Sequence, residues 1–142
     1  MAQLYYEDVS PGTEIPSIEL EVTSRRMVMH CGAYEDFNEL HHDKDVAQKQ
    51  GHPDTVIPGL YTSALLARLV TDWIGGDGML KSLKTMYRRP HYKGAKIVCK
   101  GKVTAKRVEG GEHLVECEIW AENDQGEQST PGTAVVALPS RS

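Results

Sequence analysis

Asp36 and His41 lie five positions apart in the stretch Tyr34-Glu35-Asp36-Phe37-Asn38-Glu39-Leu40-His41-His42-Asp43-Lys44, with Asn38 between them. A carboxylate and an imidazole held together are the usual means of moving a proton onto or off a reacting group near neutral pH. Pro58-Gly59 follows at the head of a long apolar run. A glycine that opens a helix offers an unpaired backbone N–H to a developing oxyanion. Taken singly, each residue has a plainer use. Asp36 suits a loop carboxylate accepting backbone N–H bonds, His41 a partly exposed loop histidine, and Gly59 a permissive helix cap. Their meaning depends on the elements around them.

Residues 15–22 alternate as a strand, and Thr23 or Ser24 caps a short helix running toward Tyr34. A polar loop then spans 36–58, with Gly51, Pro53 and Pro58 in it and a helical turn expected near Ala47. Loops of that length inside a compact domain are usually functional. Residues 59–74 read as a helix. Leu65, Leu69 and Trp73 form one row, Leu66, Val70 and Ile74 the next, and Leu60, Tyr61 and Ala64 widen the apolar surface. A helix apolar around its girth is buried, and Gly75-Gly76 stops it.

Strands are expected over 80–89, 96–108, about 113–121 and 133–138, separated by turn signals at Pro90, Gly110-Gly111 and Asn123-Asp124-Gln125-Gly126. In the second, Ile97, Cys99, Val103 and Ala105 face one way and Lys96, Lys100, Lys102, Thr104 and Lys106 the other. In the third, His113, Val115, Cys117, Ile119 and Ala121 share a face. Strands with one dry face must cover something, and the buried helix is the only candidate of the right size. The expected fold is α+β: a single hot-dog domain over residues 1–142, a curved antiparallel sheet wrapped around one central helix.

Composition narrows the function classes. The 142 residues fit one domain, and the formal charge of -4 gives no electrostatic case for nucleic acid or an anionic membrane. Cys31, Cys99 and Cys117 form no CxxC pair and no even framework, which suits a reducing compartment. Residues 1–13 read as an irregular arm without a signal-peptide pattern, and no apolar stretch reaches the ~20 residues of a membrane span. A soluble, cytoplasmic protein is expected.

The stretch from Tyr34 to Trp73 resembles the MaoC-like, R-specific enoyl-CoA hydratases. Asp36, Asn38, Leu40 and His41 fall on that family's Gly-Asp-x-Asn-Pro-(Ile/Leu)-His motif. Asp43 or Asp45 and Ala47 follow, Pro58-Gly59 takes the helix-opening place, and Tyr6-Glu7-Asp8-Val9-Ser10-Pro11-Gly12 looks like the family's entry segment. Two positions depart: Glu35 stands where the motif has Gly, and Glu39 where it has Pro. Asp36-Phe37, His41-His42-Asp43, Gln50-Gly51 and Val70-Thr71-Asp72-Trp73 further resemble the small catalytic subunit of bacterial steroid side-chain enoyl-CoA hydratases. In that group the small chain pairs with a second MaoC-like chain lacking the catalytic pair.

The resemblance implies a mechanism and a partner. Asp36 and His41 hold and activate one water, and Gly59 N–H polarises the thioester carbonyl, aided by the helix dipole. Free Asp titrates near ~3.9 and free His near ~6.5, so an ionised carboxylate and a neutral imidazole are both available at pH 7. Asn38 shapes the loop or holds substrate. Arg88, Arg89 and Lys93 suit CoA phosphates, with a solvated basic face as the plainer use. Neither metal nor cofactor is expected: His42, Asp43 and His52 lack ligand spacing. The implied substrate is an acyl-CoA, and the implied assembly is a homodimer or a pair with a second MaoC-like chain. A hot-dog acyl-CoA thioesterase and a non-catalytic acyl-binding subunit are the alternatives.

Overall fold

The computed structural model describes residues 2–142. After a 3-10 turn at Tyr6–Asp8 come β1 (Glu14–Glu21), α1 (Ser24–Tyr34), a second 3-10 turn at Glu39–His41, α2 (Lys44–Lys49) and α3 (Gly59–Ile74). Four strands follow: β2 (Met79–Thr85), β3 (Lys96–Glu109), β4 (Glu112–Glu122) and β5 (Gln128–Leu138). All five strands form one antiparallel sheet in the order β1-β3-β4-β5-β2. α3 touches every one of them, the α+β arrangement expected from the patterning. Among the described residues no helix is long and apolar enough to cross a membrane.

The core is the interface between α3 and the sheet. Leu65, Leu66, Leu69, Val70 and Ile74 are buried against Ile97, Cys99, Val103, Val115, Cys117, Ile119, Ala134 and Val136. Each large aliphatic side chain so enclosed stabilises the fold by about 1.5–3 kcal/mol. All three cysteines are free and buried, and burial pushes the Cys99 and Cys117 thiols up to about 12. Gln3 fastens the far end of α3: its amide donates to the Ile74 carbonyl at 2.9 Å and accepts the Asp77 N–H at 2.8 Å.

Three strand details differ from expectation. β2 ends at Thr85 instead of continuing to Arg89. Beyond it Met86 N–H still donates to the Pro131 carbonyl, and Arg88 and Arg89 both turn their N–H toward the Ser129 carbonyl, so the chain leaves the ladder and crosses toward the start of α3. β5 begins at Gln128 and runs through Pro131-Gly132, ahead of the expected start at residue 133. Pro131 is tolerated because its missing N–H faces the β2 side, where the β2 ladder has stopped at the Thr85–Gly132 pair. Lastly, the β3–β4 register slips between Val103 and Ala105. The extra residue reverses the alternation, so Lys106 is not on the wet face. Its ammonium donates to the Tyr6 and Val9 carbonyls, each at 2.6 Å, and lies 3.9 Å from the Tyr6 ring centre.

Gly132 marks the tightest approach in the sheet: a Cβ there would run into the backbone carbonyl of Lys84. Gly132→Ala is therefore expected to pry β2 from β5 and cost about 1–3 kcal/mol, the range for overpacking. Urea unfolding followed by circular dichroism measures it; an unchanged midpoint would contradict the packing.

Candidate functional site

Local hydrogen bonding sets the first half of the site. Thr23 caps α1 through its hydroxyl, which accepts the Arg26 N–H at 3.3 Å. The helix stops at Glu35, which adopts φ 56° and ψ 33°, the one positive φ at a non-glycine among the described residues. That turn sends Asp36 N–H back to the Cys31 carbonyl at 2.9 Å. The Asp36 carboxylate accepts the Asn38 N–H at 3.3 Å, and the Asn38 side chain accepts the Leu40 N–H at 3.0 Å. Asn38 thereby caps the 3-10 turn Glu39–His41; its oxygen is spent on the loop.

Both departures from the family motif become intelligible here. Glu35 occupies the left-handed conformation that favours glycine. Glu39 is the first residue of its turn, preceded by Asn38 at φ -61° and ψ 124°. Proline fits that position, since its predecessor is extended and the missing N–H is unneeded there. The loop keeps the shape the motif residues favour without containing them.

A single backbone carbonyl orients the imidazole. His41 Nδ1 lies 2.7 Å from the Val56 oxygen. A carbonyl only accepts, so Nδ1 carries the hydrogen, and the neutral ring turns the Nε2 lone pair outward. Nε2 is 3.3 Å from an Asp36 carboxylate oxygen, with His41 11% and Asp36 30% exposed at the side chain. Val56 is itself braced. Its N–H donates to the Leu40 carbonyl at 3.0 Å, it bridges to Tyr92, and Ile57 N–H donates to the His91 carbonyl at 2.8 Å.

His41 borders three recesses. A cavity of about 310 Å3 joins it to Gly59, Tyr87, Arg88 and Arg89. Gly59 begins α3, so its N–H has no intrahelical acceptor, and the Tyr87 ring lies 3.0–3.1 Å from where a Gly59 Cβ would stand. A second recess of about 180 Å3, lined by Met27, Val28, Cys31 and Phe37, opens onto Asp36 and His41 and is largely apolar. The third, of about 140 Å3, holds Lys93, whose ammonium is 3.8 Å from Asp54. Of the basic residues singled out in the sequence, Arg88 and Arg89 therefore share the Gly59 cavity and Lys93 lies apart. Arg89 is 2.7 Å from Glu127. Among the described residues no three His, Cys, Asp or Glu side chains gather as an ion would require.

Sequence inspection overlooked Val56, Tyr87 and His30. Val56 acts through its backbone, which no side-chain pattern reveals. Tyr87 reaches the site because β2 ends early. His30 stacks on Tyr34 at 5.6 Å and meets Tyr61 edge-on at 5.0 Å; burial lowers its pKa, against the opposing pull of Asp36.

His41 beside Asp36, bordering a cavity that also holds a helix-start amide and two arginines, fits the MaoC like domain, whose family model matches residues 8–123. The chain belongs to the MaoC-like dehydratase family. This MaoC-like chain is 32% identical over 130 residues to the 3-oxo-4,17-pregnadiene-20-carboxyl-CoA hydratase beta subunit of Mycobacterium tuberculosis, covering 92% of this chain and 95% of that one. Its structure is similar to a chain in the ChsH1-ChsH2 complex from the same organism, with a TM-score of 0.81, 28% identity, and coverage of 91% and 98%. The (R)-hydratase from A. caviae involved in PHA biosynthesis shares the fold at a TM-score of 0.85 and 19% identity, with coverage of 94% and 99%.

Releasing the left-handed strain at residue 35 is measurable. Glu35→Gly is expected to stabilise the MaoC-like domain by about 0.5–1 kcal/mol, because glycine adopts this φ freely and the strain outweighs its extra unfolded-state entropy. A higher denaturation midpoint checks it; a lower one would show that the Glu35 side chain stabilises the turn by some other contact.

Proposed function

We propose that this chain hydrates trans-2-enoyl-CoA thioesters to (R)-3-hydroxyacyl-CoA, working beside a second hot-dog chain. The carrying observation is the His41 tautomer: Nδ1–H is committed to the Val56 carbonyl, so the free lone pair at Nε2 faces Asp36 at 3.3 Å. A neutral Nε2 is a base for a water that rests against both side chains. The imidazolium that forms is stabilised by the adjacent carboxylate. The water's hydroxyl adds to the β-carbon, and its proton passes through the pair to the α-carbon. Gly59 N–H takes the charge that develops on the thioester oxygen, in the manner of an oxyanion hole. The reaction uses water and the thioester alone, with no metal or cofactor.

The two sides of the dyad differ in character, which supports the orientation of the substrate. Arg88 and Arg89 line the Gly59 side and suit the CoA phosphates, while the recess beside Asp36 is mostly apolar and suits the acyl group. Val28 and Phe37, which line that recess, are each more than half exposed. A bulky, steroid-like acyl group matches this surface, and the Mycobacterium tuberculosis relative is named for a steroid acyl-CoA.

Asp36→Asn and His41→Ala, measured separately by loss of the conjugated thioester absorbance, are each expected to lower kcat by about 100- to 10,000-fold, the usual worth of a general acid–base group. Two variants at wild-type rates would sink the mechanism. Free thiol released from saturated acyl-CoA would instead mark a thioesterase, and saturable binding without turnover, with or without a second chain, would mark a non-catalytic subunit.

A further inference from the structure

The Gly59 cavity has a polar floor in an otherwise apolar core. Thr62, Thr130 and His91 line it and are 2%, 1% and 4% exposed, while their buried neighbours include Leu65, Leu66 and Ile119. Neither threonine hydroxyl is engaged by a protein group among the described residues. His91 is held in one tautomer. Ser129 Oγ donates to the Ala121 carbonyl at 3.2 Å, so toward His91, 2.5 Å away, it accepts the hydrogen on Nε2. That leaves a lone pair on His91 Nδ1, which is buried and without a partner.

Buried polar groups are nearly always satisfied, by ordered water or a ligand where protein does not serve. Two rotatable hydroxyls supply two of the roughly two to four partners that an internal water has, with the His91 ring lining the same cavity. A thioester entering past Arg88 to reach Gly59 would fill the cavity mouth and shut out bulk solvent. The water to be added must then already be inside.

We infer that the floor formed by Thr62, Thr130 and His91 holds the water that the hydration consumes and delivers it to His41, which borders the same cavity. This rests on the hydratase function proposed above. The floor residues are positioning residues: their own protons are unchanged at the end, the water's hydroxyl joins the β-carbon and its proton reaches the α-carbon through the dyad.

Thr62→Val and Thr130→Val remove each hydroxyl at nearly constant volume. Each is expected to lower kcat roughly tenfold, the scale of one lost hydrogen bond to a buried group, with KM for enoyl-CoA essentially unchanged. Thr62→Ser and Thr130→Ser, which keep the hydroxyl, are expected to retain wild-type kcat. A high-resolution crystal structure of the wild-type chain should show ordered water at the floor, absent from the double valine variant. Unchanged kcat in folded valine variants, a dry wild-type floor, or a KM effect alone, which would set the floor against the substrate itself, overturns the inference. A wild-type chain that hydrates no enoyl-CoA sinks the hydratase function and this inference with it. Hydration unaffected by the valine substitutions sinks only the inference.

Discussion

An apolar helix that must be covered along its whole length governs this structure. Leu65, Leu66, Leu69, Val70 and Ile74 need cover, so all five strands pack against that side of α3, while Leu60, Ala64, Arg68 and Thr71 stay exposed on the other, contrary to the expectation of a helix buried around its girth. Its N-terminus cannot be covered in the same way, because the first amides of a helix lack acceptors and need polar surroundings. The buried helix therefore produces its own polar opening at Gly59. The residues that close around that opening, His41 from one side and the 87–91 segment from the other, become the site. The same burial that holds α3 leaves the Gly59 amide without an intrahelical acceptor at the cavity wall, where the proposed hydratase would use it.

The approach of His41 to that opening depends on one hydrogen bond to a backbone carbonyl. A histidine on a loop between α1 and α3 would ordinarily sample several rotamers. The Val56 carbonyl selects one and fixes the tautomer with it. Val56 can do this because Leu40 accepts its N–H within the loop and it bridges to Tyr92, while its neighbour Ile57 donates to the His91 carbonyl. The early end of β2 is part of the same device. By leaving the sheet at Thr85 the chain brings Tyr87 over Gly59 and carries His91 alongside Ile57. The Tyr87 hydroxyl is held by Ser63 at 2.6 Å, and Ser63 by Thr85 at 2.8 Å, tying that segment to the side of α3.

The elements legible in the sequence were those with uninterrupted periodicity. α3 announced itself by two adjacent apolar rows, and β3 and β4 by clean alternation around Gly110-Gly111. The motif spacing marked Asp36 and His41, and the structure brings those two side chains within 3.3 Å. What stayed hidden lay where alternation was broken or where backbone did the work. The slip after Val103 moved Lys106 from the wet face to the Tyr6 and Val9 carbonyls. Pro131-Gly132 concealed the first part of β5. Val56 and its carbonyl left no trace, because any residue type supplies that atom. Lys93 looked like a companion of Arg88 and Arg89, yet it lines a different recess beside His41, 3.8 Å from Asp54.

The pairing of Asp36 with His41 constrains how their proton is used. If Nδ1–H is fixed on Val56, the ring gains or loses a proton only at Nε2, and Nε2 faces a carboxylate that has one oxygen already accepting the Asn38 N–H. The other oxygen is therefore the one that can stabilise an imidazolium. The 3.3 Å between them leaves no room for a water in line, but in the proposed reaction a water resting against both would find two acceptors for its hydrogens, and its oxygen would point away from the pair. In the proposed mechanism, exchanging the tautomer would aim a hydrogen at that water and remove the base. The 3-10 turn, the strained Glu35 and the braced Val56 all serve to keep this one orientation, and no side chain at the dyad needs an unusual chemistry of its own.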